Sequence, residues 1–221
     1  MRPFDPTLCL VLGPDDTRGR DVLDVVSAAI AGGVTCVQLR WKLAPAEPLK
    51  DLARRLIALT REAGVPMLIN DRVEVAMVLG ADGVHVGQGD MKPENVRRLL
   101  GPDVILGLSV ENAAQVGTVD PALVDYVGLG PVLETASKKD HALPMGLEGF
   151  AAIRPRIRVP VMAIGGVGVS NATLLWQAGA NGLAIVSAIA GADDPAEAAA
   201  EIRRAFKAQV EAEPSSSATR F

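Results

Sequence analysis

Short apolar runs rich in Val, Ile and Leu recur along the chain at residues 8–13, 36–41, 66–71, 83–88, 104–110, 126–132, 160–167 and 182–189, and most are followed by a stretch with helical periodicity. This repeat constrains the fold more than any other feature. A strand that is apolar throughout must be covered on both faces, and alternation with helices is how a parallel sheet is covered. Leu49, Leu52, Ala53, Leu56 and Ile57 share one helical stripe, ended by Gly64 and Pro66. Val22, Val25, Val26, Ala29 and Ile30 form another, stopped by Gly32 and Gly33. Ile202, Ala205, Phe206 and Val210 form the last, with Glu201, Arg203, Arg204 and Lys207 on its outer face. The fourth unit is the weakest, with only residues 93–100 available for a helix. Eight such units predict an α/β fold, a single (β/α)8 TIM barrel over residues 1–212. A doubly wound open sheet is the rival, but Gly166-Val-Gly168-Val-Ser-Asn lacks the third glycine of its fingerprint. The tail, residues 213–221 with Ser215, Ser216 and Ser217, reads as disordered.

Aromatic residues make up 3% of the chain and apolar residues 49%, so the core must be aliphatic. A net charge of -4 provides no concentrated basic surface, which argues against a nucleic-acid partner. The first sixteen residues lack the pattern of a secretory signal, and no run reaches the roughly 18 to 20 apolar residues of a membrane span. The expected location is therefore cytoplasmic, without membrane association. Cys9 and Cys36 lie in apolar runs and read as small buried hydrophobes rather than a disulfide.

In a parallel barrel the chemistry sits at the carboxyl ends of the strands. Gln38, Arg40 and Lys42 alternate with Val37, Leu39 and Trp41, so the three polar groups share one face and point to an anion site. The third and fourth runs end in Asn70-Asp71 and Gly89-Asp90. Two carboxylates beside two cations read either as a salt-bridge network or as ligands for Mg²⁺, which takes one or two carboxylates plus phosphate oxygens. After the sixth run, Thr135, Ser137, Lys138 and Lys139 form a polar loop. Gly165-Gly166 and Ser187-Ala188-Ile189 end the seventh and eighth, where such barrels commonly hold phosphate on backbone N–H groups. Ser109 lacks a His and Asp in triad order and suits a hydrogen bond to substrate better than a nucleophilic role. His85 reads as a satisfied core histidine, and His141 as a loop histidine without an evident partner.

Gly33-Val-Thr-Cys-Val-Gln-Leu-Arg-Trp-Lys42, Leu68-Ile-Asn-Asp-Arg72, Gly83-Val-His-Val-Gly-Gln-Gly-Asp90, Gly128-Leu-Gly-Pro-Val132, Lys138-Lys-Asp140 and Ala163-Ile-Gly-Gly166, in that order, closely resemble the thiamine-phosphate synthase family. The resemblance implies a transferase that joins aminopyrimidine methyl pyrophosphate to thiazole phosphate or its carboxylate, giving thiamine phosphate and pyrophosphate. It implies Mg²⁺ on Asp71 and Asp90, and pyrophosphate contacts from Arg40, Lys42, Asn70 and Lys138. By the same resemblance Gln38 and Ser109 position the pyrimidine, and Thr135, Ser137, Gly166, Ser187 and Ile189 hold the thiazole phosphate. Arg40, Lys138 and Ser109 are the residues it places in catalysis. The partners it implies are these small molecules, and a homo-oligomer is compatible with it. Three positions depart from the family pattern: Trp41 stands where an acidic residue is frequent, Glu111-Asn112 replaces a common His-Thr, and Gly13-Pro14-Asp15 replaces a Thr-Asp pair. Three alternatives remain: a thiazole tautomerase-like paralogue, which relies on a histidine where this chain has Pro131; a non-catalytic barrel that binds a phosphorylated ligand; and a sugar-phosphate epimerase.

Overall fold

Each expected strand forms. In the computed structural model, which describes residues 4–135 and 143–207, the strands are β1 (Leu8–Leu12), β2 (Cys36–Leu39), β3 (Met67–Asn70), β4 (Gly83–Val86), β5 (Ile105–Val110), β6 (Tyr126–Leu129), β7 (Val161–Ile164) and β8 (Gly182–Ile185). Every neighbouring pair is parallel, and β8 pairs with β1 to close the barrel. The helices are α1 (Val22–Ala31), α2 (Ala46–Glu62), α3 (Val73–Leu79), α4 (Pro93–Leu100), α5 (Gly146–Ile153), α6 (Val169–Gln177), α7 (Ser187–Ala190) and α8 (Pro195–Lys207).

Side chains alternate between two cores, as the period of two demands. Cys9, Val11, Cys36, Leu68, Ile105, Tyr126, Met162 and Ala184 fill the barrel interior. Leu10, Val37, Ile69, Val84, Leu106, Val127, Ala163 and Leu183 face outward into the larger core shared with the helices. Both faces of each strand are therefore dry, which is why the strands read as apolar runs rather than as alternating patterns.

The strands end earlier than their apolar runs suggest. The chain turns out of the sheet after Asn70 with Asp71 at φ 61, and after Ile164 with Gly165 at φ 90 and Gly166 at φ 65. The fifth unit lacks a regular helix: a 3-10 segment (Ala113–Thr118) follows β5, and Asn112 caps it by accepting from the Ala114 and Gln115 N–H groups at 3.0 and 3.2 Å. This gives the Asn112 departure from the family pattern a structural role. Arg203 departs from its expected outer face: it is half-buried, and its side chain packs where a Cβ on Gly33 would stand. The 213–221 tail, Val210, and the side chain of Lys207 lie outside the described residues.

At the amino-terminal rim, one polar residue precedes each even-numbered strand and accepts an N–H from the strand before. Thr35 Oγ1 accepts from Leu8 at 2.9 Å, Asp82 Oδ2 from Met67 at 2.9 Å, Asp125 Oδ2 from Leu106 at 2.7 Å, and Asn181 Oδ1 from Val161 at 2.9 Å. Arg97 of α4 reinforces the third of these clasps. It meets Asp125 at 2.6 Å and donates to the carbonyls of Leu123 and Val104 at 2.7 and 2.5 Å.

Candidate active site

The carboxyl ends of the strands surround a cavity of about 500 Å³ whose lining includes Gln38, Arg40, Lys42, Asn70, Asp71, Asp90, Ser109, Thr135, Gly166 and Ser187. Ten expected residues from seven parts of the chain thus converge on one space. Ser137 and Lys138 lie outside the described residues, as does His141. Ile189 departs from expectation: it is fully buried in the outer core, and its N–H bonds the Val186 carbonyl at 3.2 Å. The α7 turn swings its side chain inward and leaves Val186 and Ser187 on the cavity wall.

β2 delivers the anion-binding set. Gln38 is buried on the inner face, and Arg40 and Lys42 follow beyond the strand end on the same side, while Trp41 packs toward the helix layer. Asp16 stands beside Arg40 and also accepts the Gly13 N–H at 2.7 Å. Burial raises its pKa above the usual carboxylate value, against the opposing pull of that N–H and of Arg40. A Cβ at Gly13 would come within 2.6 Å of the Arg40 carbonyl, so the close approach of these two strand ends requires glycine there. Gly13 and Asp16 thus bring a tight backbone approach and a carboxylate beside Arg40 from the segment where the family pattern is missing.

Asp71 sits in the left-handed backbone region, at a cost of roughly 1 kcal/mol for a residue with a Cβ. Its carboxylate faces Lys42 Nζ at 3.5 Å. Burial and the adjoining Asp90 carboxyl push its pKa up to about 6 from 3.8, and Lys42 only partly opposes them. Asp90 Oδ2 accepts the Gly87 N–H at 2.7 Å. Two hard oxygen donors that repel each other across a wet cavity mouth form a site short of positive charge, which suits a divalent cation. Among the described residues no group of three or more acidic, His or Cys side chains gathers to hold a metal, so any ion would complete its shell with water and substrate oxygens, as Mg²⁺ does.

The floor of the cavity carries two residues that the pattern reading left out of the site. His85 and Tyr126 line it, and they form a hydrogen-bonded series in which His85 Nδ1 meets the Tyr126 hydroxyl at 2.9 Å and His85 Nε2 meets Ser109 Oγ at 2.9 Å. The Gln38 amide stands beside the same Tyr126 hydroxyl, in position to donate to it. Glycines make room for the rings: a Cβ on Gly107 would overlap both Tyr126 and His85, and one on Gly128 would come within 3.2 Å of the imidazole. The only sequence signal for this arrangement is the inward parity of His85, Gly107, Tyr126 and Gly128.

The model of the family described as thiamine monophosphate synthase matches residues 8–189. The chain is 52% identical over 206 residues to a thiamine-phosphate synthase from Solidesulfovibrio magneticus, covering 92% of this chain and 97% of that one. It is 46% identical over 201 residues to a thiamine-phosphate synthase from Azorhizobium caulinodans, covering 91% and 95%. Its fold is similar to that of a thiamine phosphate pyrophosphorylase from Pyrococcus furiosus, with a TM-score of 0.82 at 32% identity, over 93% of this chain and 97% of that one.

Proposed function

The chain belongs to the thiamine monophosphate synthase family, and from that premise we propose that its cavity joins aminopyrimidine methyl pyrophosphate to thiazole phosphate, releasing pyrophosphate and forming thiamine phosphate. The observation that carries this reading is the convergence of Gln38, Arg40, Lys42, Asp71 and Asp90 on one space large enough for both substrates. Loss of pyrophosphate from a methylene on an electron-rich ring leaves a cation on carbon while negative charge grows on the departing oxygens. Arg40 and Lys42 are placed to neutralise those oxygens, with Asn70 donating to them from the end of β3. Mg²⁺ held by Asp71 and Asp90 would supply further charge neutralisation at the same oxygens. The pyrimidine stabilises its own cation through its amino group, so the remaining task of the protein is to hold the thiazole nitrogen against that carbon.

Gln38 and Ser109 are proposed to hold the pyrimidine. Thr135, Gly166 and Ser187, with Ser137 and Lys138 of the adjoining loop, would receive the thiazole phosphate and the leaving group. Gly166 suits close backbone approach to an anion because its φ of 65 and its contacts with Leu133 and Glu134 exclude a side chain. Pro131 on the cavity wall stands where the tautomerase reading requires a histidine, which favours the synthase. A cytoplasmic location is proposed because both substrates are multiply charged esters that do not cross a bilayer unaided.

The test is incubation of the purified protein with both substrates and Mg²⁺, with and without EDTA, followed by chromatography. Equimolar thiamine phosphate and pyrophosphate that vanish with EDTA are expected. Full product in excess EDTA would remove the metal, and absence of product under all conditions would remove the reaction.

A further inference from the structure

The series Gln38, Tyr126, His85, Ser109 begins and ends at the cavity, while Tyr126 between them is only 1% exposed and His85 only 8%. A buried series of this kind is tightly constrained. A neutral imidazole donates from one nitrogen and accepts at the other, and each hydroxyl donates a single proton. Leaving a member unpaired in so dry a place is costly, so the donors must all point one way or all the other.

In one arrangement the Gln38 amide N–H donates to Tyr126, Tyr126 donates to His85 Nδ1, and His85 Nε2 donates to Ser109. The Ser109 O–H is then left to donate into the cavity, and the Gln38 carbonyl oxygen is left to accept there. In the reverse arrangement Ser109 donates to His85, His85 to Tyr126 and Tyr126 to the Gln38 oxygen. Ser109 then accepts from the cavity and the Gln38 N–H donates into it. Each arrangement offers one donor and one acceptor, and the two ends exchange roles together.

We propose that His85, acting through Tyr126, is a positioning residue that couples Ser109 to Gln38, so that the cavity always meets a heteroaromatic ring with one donor and one acceptor of matched polarity. An aminopyrimidine is a ring of that class, with an amino donor and ring-nitrogen acceptors. The proposal rests on the placement of the pyrimidine between Gln38 and Ser109 given above.

The observable consequence is energetic coupling between two side chains on different strands. Steady-state kinetics with full-length Gln38→Ala, Ser109→Ala and the double variant, in wild-type and Tyr126→Phe backgrounds, read it through kcat/KM for the pyrimidine substrate. In the wild-type background the double variant is expected to lose about fivefold less than the product of the single losses. In the Tyr126→Phe background, which deletes one oxygen and keeps the ring, the losses should multiply to within about twofold. KM for the thiazole substrate should change little in Tyr126→Phe, and His85→Gln, which retains a donor and an acceptor, should recover most of the activity that His85→Phe loses.

Single losses that already multiply in the wild-type background would overturn the coupling. If neither Gln38→Ala nor Ser109→Ala affected the pyrimidine, the substrate placement itself would fall, a result distinguishable from failure of the coupling alone. Ring-nitrogen NMR needs no variant in the relay. The chain has two histidines, so assignment with His141→Gln isolates His85. Adding the aminopyrimidine pyrophosphate alone should drive His85 to a single neutral tautomer, whereas an unchanged tautomer mixture would overturn the proposal.

Discussion

At the lower rim of the barrel Thr35, Asp82, Asp125 and Asn181 each give an oxygen to a strand N–H, and Arg97 closes on Asp125 at 2.6 Å. At the upper rim Asp71 and Asp90 face each other, and Lys42 at 3.5 Å from Asp71 partly opposes the repulsion. The same residue type therefore does opposite work at the two ends. An aspartate whose oxygen has an N–H donor stabilises the fold. Asp71, held against Asp90 in a backbone conformation that resists it, costs stability, and the pair leaves charge for a cation or a substrate to neutralise. This division matches the general separation of stability and chemistry between the two faces of such barrels.

The sharpest way to break the comparison is at the upper rim. Asp71→Ala and Asp90→Ala should each lower the rate of thiamine phosphate formation by about 100-fold or more, with a melting temperature no lower than that of the wild type in Asp71→Ala and only slightly lower in Asp90→Ala, which gives up the exposed Gly87 N–H bond. Loss of fold along with activity would end the distinction. The reverse result is expected below. Arg97→Ala strands the Asp125 carboxylate and several carbonyls, so chemical denaturation should show a loss of about 3 kcal/mol, with turnover at low temperature retained. Asn181→Ala removes the acceptor used by Val161 N–H and by Arg154 at 2.8 Å, and should lose about 1.5 kcal/mol in the same measurement.

The smallest effect concerns pH. Asp71 titrates near 6 in the folded protein against 3.8 when unfolded, so its protonated form is favoured by folding. The stability it allows below about pH 4 should therefore be lost as pH rises through 6, by of order 1 kcal/mol once solvent screening at the cavity mouth is allowed for. Urea melts of the metal-free protein at pH 5 and 8 should show this decline, and Asp71→Asn should flatten it. An equal slope in Asp71→Asn would place the titration elsewhere.

The barrel was legible in the sequence because dry parallel strands leave uninterrupted apolar runs, and Gln38, Arg40 and Lys42 were legible because parity alone puts them on one side. What escaped has a common physical cause: it depends on neighbours far apart in the chain. Thr35, Asp82, Asp125 and Asn181 look like ordinary loop residues until the register sets each beside an N–H. His85 was read as a satisfied histidine, and it is satisfied, but by groups that line the cavity. The burial of the Ile189 side chain was not legible because the apolar run continues past β8, and hydrophobicity alone does not reveal that α7 begins at Ser187 and packs it against the outer core. Asp16, in the turn after β1, places a carboxylate near the Arg40 guanidinium just beyond β2, a pairing between residues far apart in the chain.

The lower clasps always join an odd-numbered strand to the even-numbered one after it, never an even to the next odd. The barrel is thus assembled as four staves, each a two-stranded unit latched at its base, whereas the side-chain bonds that cross the seams, such as His85 to Ser109 and Lys42 to Asp71, lie at the cavity end. A chain opened at a seam and rejoined through its old termini would keep both partners of every latch on one continuous stretch, whereas one opened inside a stave would divide one pair between the two ends of the chain. Modularity of this kind also marks where a lineage could exchange or duplicate quarters of the barrel without disturbing the foundations of the rest.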